Sequence, residues 1–411
     1  MKKIYLIVMA MMTVGTGWAQ STTTAVAQSS PAQLSVLRAQ QLIDKNANDY
    51  EAYNALALAL ARRARETSDP NYYIQGEQAL QKSFAISPGN YDGERIAVWL
   101  LLGKHEFAAA LEKAKQLNKR VPDDVMVWGF LTDANVELGN YADAEQAAQW
   151  MLNLRPGNLP ALTRAAYLRE LFGDIEGALE LMKMALDSTP PSEVEDRAWI
   201  TTQMVHLKLA EGKAGQAEDL LQQALAMFPG YHYALGNMAK VRIQQKRYAD
   251  AVTLLRQRYE VAPHAENLFD LAVALEKAGR ASEATQAFAE FERKSLAETN
   301  KADNSNHELI VYYADYTKDP AKALEVAQRE YARRHDVFTL DCYAWALHVN
   351  GQDVAAHKQM DAALAVGIQD AKMFRHASEI AMKAGDPMGA KKYARQADEL
   401  EGESMTVATA K

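Results

Sequence analysis

Side chains able to do acid–base, nucleophilic or metal chemistry are present in this chain, but their spacing does not assemble them. The nine His residues are scattered, and no pair has the interval of a zinc-binding helix motif. The one Cys, Cys342, excludes a cysteine-rich metal site and an internal disulfide, and reads as a small core residue on a helix. No glycine loop is built to cradle phosphate, and no strand–turn–helix motif presents a nucleophile. The nearest titratable clusters, His232 with Tyr233 and His335 beside Asp336, read as exposed helix-start residues. Glu145, Glu180 and Glu218 recur regularly and fit a solvated outer face. The expectation is a chain with no catalytic residues, no metal and no cofactor, hence not an enzyme.

What could position a working surface instead is a ladder of prolines. Pro88, Pro122, Pro156 and Pro190 stand 34 residues apart, and after a longer step Pro229 and Pro263 resume the interval. A fixed period of this size means stacked supersecondary units. Twelve residues before five of these prolines sit Ala110, Ala144, Ala178, Ala217 and Ala251; five residues before three of those alanines come Gly139, Gly173 and Gly212. The unit is therefore helix, glycine turn, helix, proline stop. Glycine tolerates the left-handed conformation that ends the first helix, proline cannot continue the second, and alanine lets two helices approach.

The phrases Gly139-Asn-Tyr-Ala-Asp-Ala144, Gly173-Asp-Ile-Glu-Gly-Ala178 and Gly212-Lys-Ala-Gly-Gln-Ala217, with Trp128 and Leu131 at the early positions of one unit, resemble the tetratricopeptide repeat. The resemblance implies an all-α, right-handed solenoid of about nine helix-turn-helix repeats. Units are expected over 33–294, led by a lone cap helix, and again over 307–400. A polar linker loop, 295–306, separates the two arrays.

Met1-Lys2-Lys3 followed by an apolar run, with Gly17-Trp18-Ala19 before a cut, reads as a bacterial secretory signal peptide over 1–19. A flexible tether, 20–32, follows, and a disordered tail, 401–411, ends the chain. Export to the periplasm is expected, with release from the cell as the alternative. Losing Lys2 and Lys3 takes the formal net charge from −8 to −10. With no basic stripe, nucleic acid and anionic membrane are poor candidate partners, and no other stretch is apolar enough to span a bilayer.

In proteins of this kind the first helices line a concave groove that binds the partner. Propagating the phase places Trp99, Asp133, Tyr167, His206, Lys240, Trp345 and Glu379 at equivalent groove positions, with Trp199, Tyr233 and Phe338 one helical turn earlier. Aromatics mixed with both signs of charge suit a polypeptide held by aromatic anchors. Some family members grip a C-terminal carboxylate with a fixed Lys, Asn and Arg set. Asn237 and Lys240 occur here, but Thr163, Arg164, Thr202 and Gln203 in neighbouring units break that clamp. The leading expectation is a non-enzymatic scaffold of the cell envelope that holds a protein or peptide segment. A carbohydrate-binding or glycan-acting protein is the alternative, because aromatic rows also stack on sugars. A third reading is self-association through the end helices, and no motif fixes an oligomeric state.

Overall fold

In the computed structural model the described residues are 30–210 and 213–406; the expected signal peptide, most of the tether, Gly212 and 407–411 lie outside them. A lone helix, α1 (Pro31–Lys45), leads the array. Seven hairpins follow: α2 (Tyr50–Thr67) with α3 (Asn71–Ile86), α4 (Tyr91–Gly103) with α5 (Phe107–Arg120), α6 (Val125–Glu137) with α7 (Tyr141–Leu154), α8 (Leu159–Leu171) with α9 (Ile175–Ser188), α10 (Val194–Ala210) with α11 (Ala214–Met227), α12 (His232–Gln244) with α13 (Tyr248–Val261), and α14 (Ala265–Lys277) with α15 (Ala281–Glu298). Next, α16 (Asn306–Val311) runs into a π-helical turn, Tyr312–Tyr316, and pairs with α17 (Pro320–Tyr331). Two more pairs close the chain: α18 (Val337–Val349) with α19 (Asp353–Leu364), and α20 (Ala371–Ala384) with α21 (Pro387–Thr406). Among the described residues there is no strand.

The repeat signature does the work its chemistry suggests. Ala110, Ala144, Ala178, Ala217 and Ala251 are each 0% exposed, so a larger side chain at any of them would separate packed helices. After Pro88 and Pro156 the chain turns through Gly89 (φ 69°) and Gly157 (φ 72°), and Asn90 and Asn158 then cap the next helix. Each capping side chain accepts a backbone N–H that the first turn leaves unpaired.

Among the described residues ten hairpins stand where about nine were expected. The hairpin over 307–334 falls within the expected second array, and its π-helical turn carries an extra residue that shifts the apolar spacing. Tyr312 and Tyr316 in that turn pack on Phe288, and Tyr316 also meets Phe269 edge-on.

The expected linker loop also needs correction, because α15 continues through Glu298 and only 299–305 connects to α16. The polar residues there bond to one another: Ser305 Oγ donates to Ser295 Oγ at 2.8 Å, Thr299 Oγ1 to Asn306 Oδ1 at 2.8 Å, and Asn306 Nδ2 to Glu330 Oε2 at 2.8 Å. The polar side chains at the two ends of the expected loop form a buried network. Ser30 caps α1, which takes in the end of the expected tether, and α21 reaches Thr406, taking in part of the expected tail.

The solenoid also coils back onto itself. The α4–α5 turn meets the α15–α16 connection, where His105 Nδ1 lies 3.6 Å from Asp303. One unit on, the α6–α7 turn meets the α17–α18 connection: His335 N–H donates to the Glu137 carbonyl at 3.2 Å, and Val337 N–H to the Tyr141 hydroxyl at 2.9 Å across 196 residues. In the next unit, the Gly173 turn rests on Gly367. A Cβ on Gly173 would lie 2.5 Å from the Gly367 carbonyl oxygen, and one on Gly139 would lie 2.7 Å from that of His335. One apolar cluster runs through this seam, joining Val136, Leu168 and Leu171 to Leu340, Ile368 and Met373.

Candidate functional site

First helices α2, α4, α6, α8, α10 and α12 enclose a cavity of about 930 Å³. Trp99, Asp133 and Tyr167 lie 34 residues apart on α4, α6 and α8, and Trp199 and Tyr233 keep the same interval on α10 and α12. Equal offsets in stacked, equivalent helices turn these side chains to one side. All five line the cavity. A second cavity, about 620 Å³, shares Arg65, Gly103 and Tyr233 with the first and has the 301–305 connection as one wall.

The other five residues expected in the groove do not line either cavity. His206 is exposed and holds Glu170 at 2.7 Å; the Glu170 carboxylate, not the imidazole, reaches the cavity wall. Lys240 is exposed elsewhere. Trp345 is a core residue, 8% exposed, stacked on His376 at 4.2 Å with its indole N–H donating to Asp315 at 2.9 Å. Phe338 and Glu379 are exposed away from the cavities.

The wall contains charged residues that the phase argument passed over. Arg65 stands one 34-residue step before Trp99, so the same stepping taken backwards would have found it. Its guanidinium crosses from α2 to Glu195 and Asp196 on α10. Tyr231 donates its hydroxyl to Glu195 Oε1 at 2.8 Å, and His232 Nε2 lies 3.2 Å from the Arg65 carbonyl oxygen. This strap ties the first hairpin to the fifth and sixth. On the next stretch of wall Arg164 grips Asp133 with two bonds, 2.7 and 2.6 Å, the fork geometry that makes such pairs strong.

Enclosure tunes these groups. Burial, then the nearby Asp336 charge, pushes the Glu137 carboxyl up to about 7, although Arg334 pulls the other way. Burial likewise raises the Tyr167 phenol well above its ordinary value and takes Tyr233 to about 12. His232 is not the exposed helix-start residue expected from sequence. It is 3% exposed, and burial lowers it to about 4. His335 is half-buried against Tyr331. Glu218 is drawn off the solvated face by Arg242, at 2.7 Å, which lowers its carboxyl to about 2. Cys342 is a half-buried thiol that burial pushes well up, the opposite of what a nucleophile needs. Among the described residues no helix is long and apolar enough to cross a membrane.

Family models of the tetratricopeptide repeat match residues 97–158, 131–193, 208–263 and 237–297. No curated protein matches the chain. Among solved structures, the chain is similar to the APC/C hetero-tetramer Cut9–Hcn1, with 16% identity and a TM-score of 0.52 over 76% of this chain; it spans 59% of that one. It is also similar to the human IFIT1 dimer with PPP-AAAA, with 11% identity and a TM-score of 0.50, covering 91% of this chain and 95% of that one. At such identities the likeness concerns fold alone. Repeats of this kind suggest a protein–protein interaction scaffold, and the fold is generally non-catalytic. Taken with the alanine, glycine and proline ladder and the stacked hairpins that it builds, these matches make the chain a tetratricopeptide-repeat protein.

Proposed function

We propose that this protein is a non-enzymatic scaffold of the bacterial cell envelope and that it holds a segment of a partner polypeptide in the cavity enclosed by its first helices. The observation that carries the reading is the convergence of Trp99, Asp133, Tyr167, Trp199 and Tyr233 on one cavity. Aromatic side chains offer large, rigid contact area at small entropic cost, and desolvated aromatic anchors dominate polypeptide binding. The envelope assignment rests on the Lys-Lys start, apolar run and small-residue cut at the N-terminus.

The test is affinity capture of the mature chain from envelope extract with quantitative mass spectrometry, comparing wild type with Trp99→Ala/Tyr167→Ala. Two lost anchors should lower recovery of at least one polypeptide by roughly tenfold or more, tenfold being about 1.4 kcal/mol. Equal recovery of every polypeptide by both forms would count against the cavity as the binding site.

A further inference from the structure

The cavity spends its hydrogen-bonding groups unevenly. Each carboxylate on its wall is answered from within the chain: Asp133 by Arg164, Asp196 by Arg65, Glu170 by His206, and Glu137 by Arg334 at 3.3 Å. The donors are not spent in the same way. Arg62 on α2 faces the cavity and makes no ion pair or hydrogen bond among the described residues. Neither the indole N–H groups of Trp99 and Trp199 nor the hydroxyls of Tyr167 and Tyr233 find a partner there. Among the described residues the wall therefore keeps one unpaired cation, Arg62, and several unpartnered N–H and O–H groups, while its carboxylates are already engaged.

A ligand that fits such a wall brings acceptors, a negative charge for Arg62, and an apolar body for the aromatic faces. Guanidinium and carboxylate match as planar forks, and a carboxylate leaves water at acceptable cost only when it is paired in this way. From this unpaired cation among engaged carboxylates we propose that the segment entering the cavity is acidic, with an Asp or Glu side chain seated on Arg62 and a neighbouring apolar or aromatic residue against Trp99 and Trp199. This rests on the reading of the cavity as a polypeptide site.

Two further points shape the proposal. Arg62 stands one helical turn before Arg65, where the first cavity passes into the second, so space continues beyond it. That continuity favours a side chain on a passing segment over a chain end. The net charge of the whole chain, −8, opposes an acidic ligand at long range. Screening acts over about 8 Å at physiological salt, so the local donors decide the outcome inside the cavity.

The experiment uses the full mature chain and synthetic peptides, acetylated and amidated at their ends, in which Phe and Leu alternate with Glu, Gln or Lys. Calorimetry should show the Glu peptide binding about tenfold or more tighter than the Gln peptide. Arg62→Gln should abolish that preference, whereas Trp99→Ala should weaken both peptides. Arg62 is exposed on its helix and Gln is a good helix former, so circular dichroism should confirm an intact fold.

Equal binding of Glu and Gln peptides, tighter binding of the Lys peptide, or a Glu preference that survives Arg62→Gln would overturn the proposal. A Gln peptide with a free C-terminus that gains as much as the Glu peptide would reject the side-chain source. If Glu and Gln peptides bind equally and Trp99→Ala weakens both, only this inference falls. If no peptide binds, the polypeptide reading of the cavity falls with it.

Discussion

Trp99 and Trp345 occupy corresponding places in their repeats, yet the first lines a cavity and the second sits in the core, 8% exposed and stacked on His376. The first stands on the inner side of α4, among side chains of α6, α8, α10 and α12 that line the same cavity. Around the second, His376 of α20 covers the ring face and Asp315 takes up the indole N–H. The repeat code decides which face a residue joins. It does not decide whether that face is left open.

The seam between the two parts explains the difference. In an ideal solenoid each unit touches only its neighbours, and stability is nearly a sum of nearest-neighbour terms. Here the turns at Glu137 and Gly173 rest on connections near His335 and Gly367, contacts that skip many units. The C-terminal hairpins thereby become a structural wall for the N-terminal ones.

The largest expected contrast is between the two tryptophans. Trp345→Ala removes a buried ring and its bonded indole, and should cost about 3–5 kcal/mol of unfolding free energy. Trp99→Ala, at a half-buried site, should cost about 1–2 kcal/mol while abolishing most partner binding. Denaturant titration of both variants beside a binding assay checks this. Equal destabilisation would erase the distinction between wall and core.

A smaller effect isolates the seam. Gly173 (φ 82°) and Gly279 (φ 73°) both end first helices in the left-handed region, but only Gly173 has a backbone neighbour where its Cβ would go. Alanine at either position should lose about 1 kcal/mol to conformation. Gly173→Ala should lose about 1–3 kcal/mol more to the clash with Gly367. Thermal melts of the two variants give the difference directly.

The smallest effect is a slope. Glu137, with Asp336, Arg334 and Asp133 around it, has its carboxyl pushed up to about 7 from an ordinary 4.5. A group raised on folding gives stability that is complete below its unfolded value and is lost as pH rises through its folded one. Its contribution should therefore fade between about pH 4.5 and 7. Glu137→Gln should remove that part of the decline, so the difference in melting temperature between variant and wild type grows in favour of Gln as pH rises through this window.

Much of the fold was legible because alanine, glycine and proline each act locally. A buried Ala251 or a left-handed Gly139 reports its own helix contact or turn whatever the rest of the chain does. Five of the ten expected groove residues share the cavity because a helix face follows from phase alone. Trp345 was misplaced because its burial depends on Asp315 and His376 in the neighbouring hairpins. The polar stretch from Ser295 to Asn306 was misread because composition does not reveal that its side chains bond to one another and to Glu330. His232 escaped because its burial depends on Arg65, 167 residues away. In each case the deciding partner lies outside the residue's own hairpin.

The account's central claim is that a partner polypeptide occupies the cavity, and site-specific photo-cross-linking tests it most directly. A photoreactive side chain replaces Tyr167 on the cavity wall or Glu145 on the exposed side of α7 in the full chain, inside cells that make the protein. The prediction is a defined polypeptide adduct from position 167 and none of that mass from position 145. An adduct from position 145 with none from 167 would place the partner on the outer surface and contradict the account.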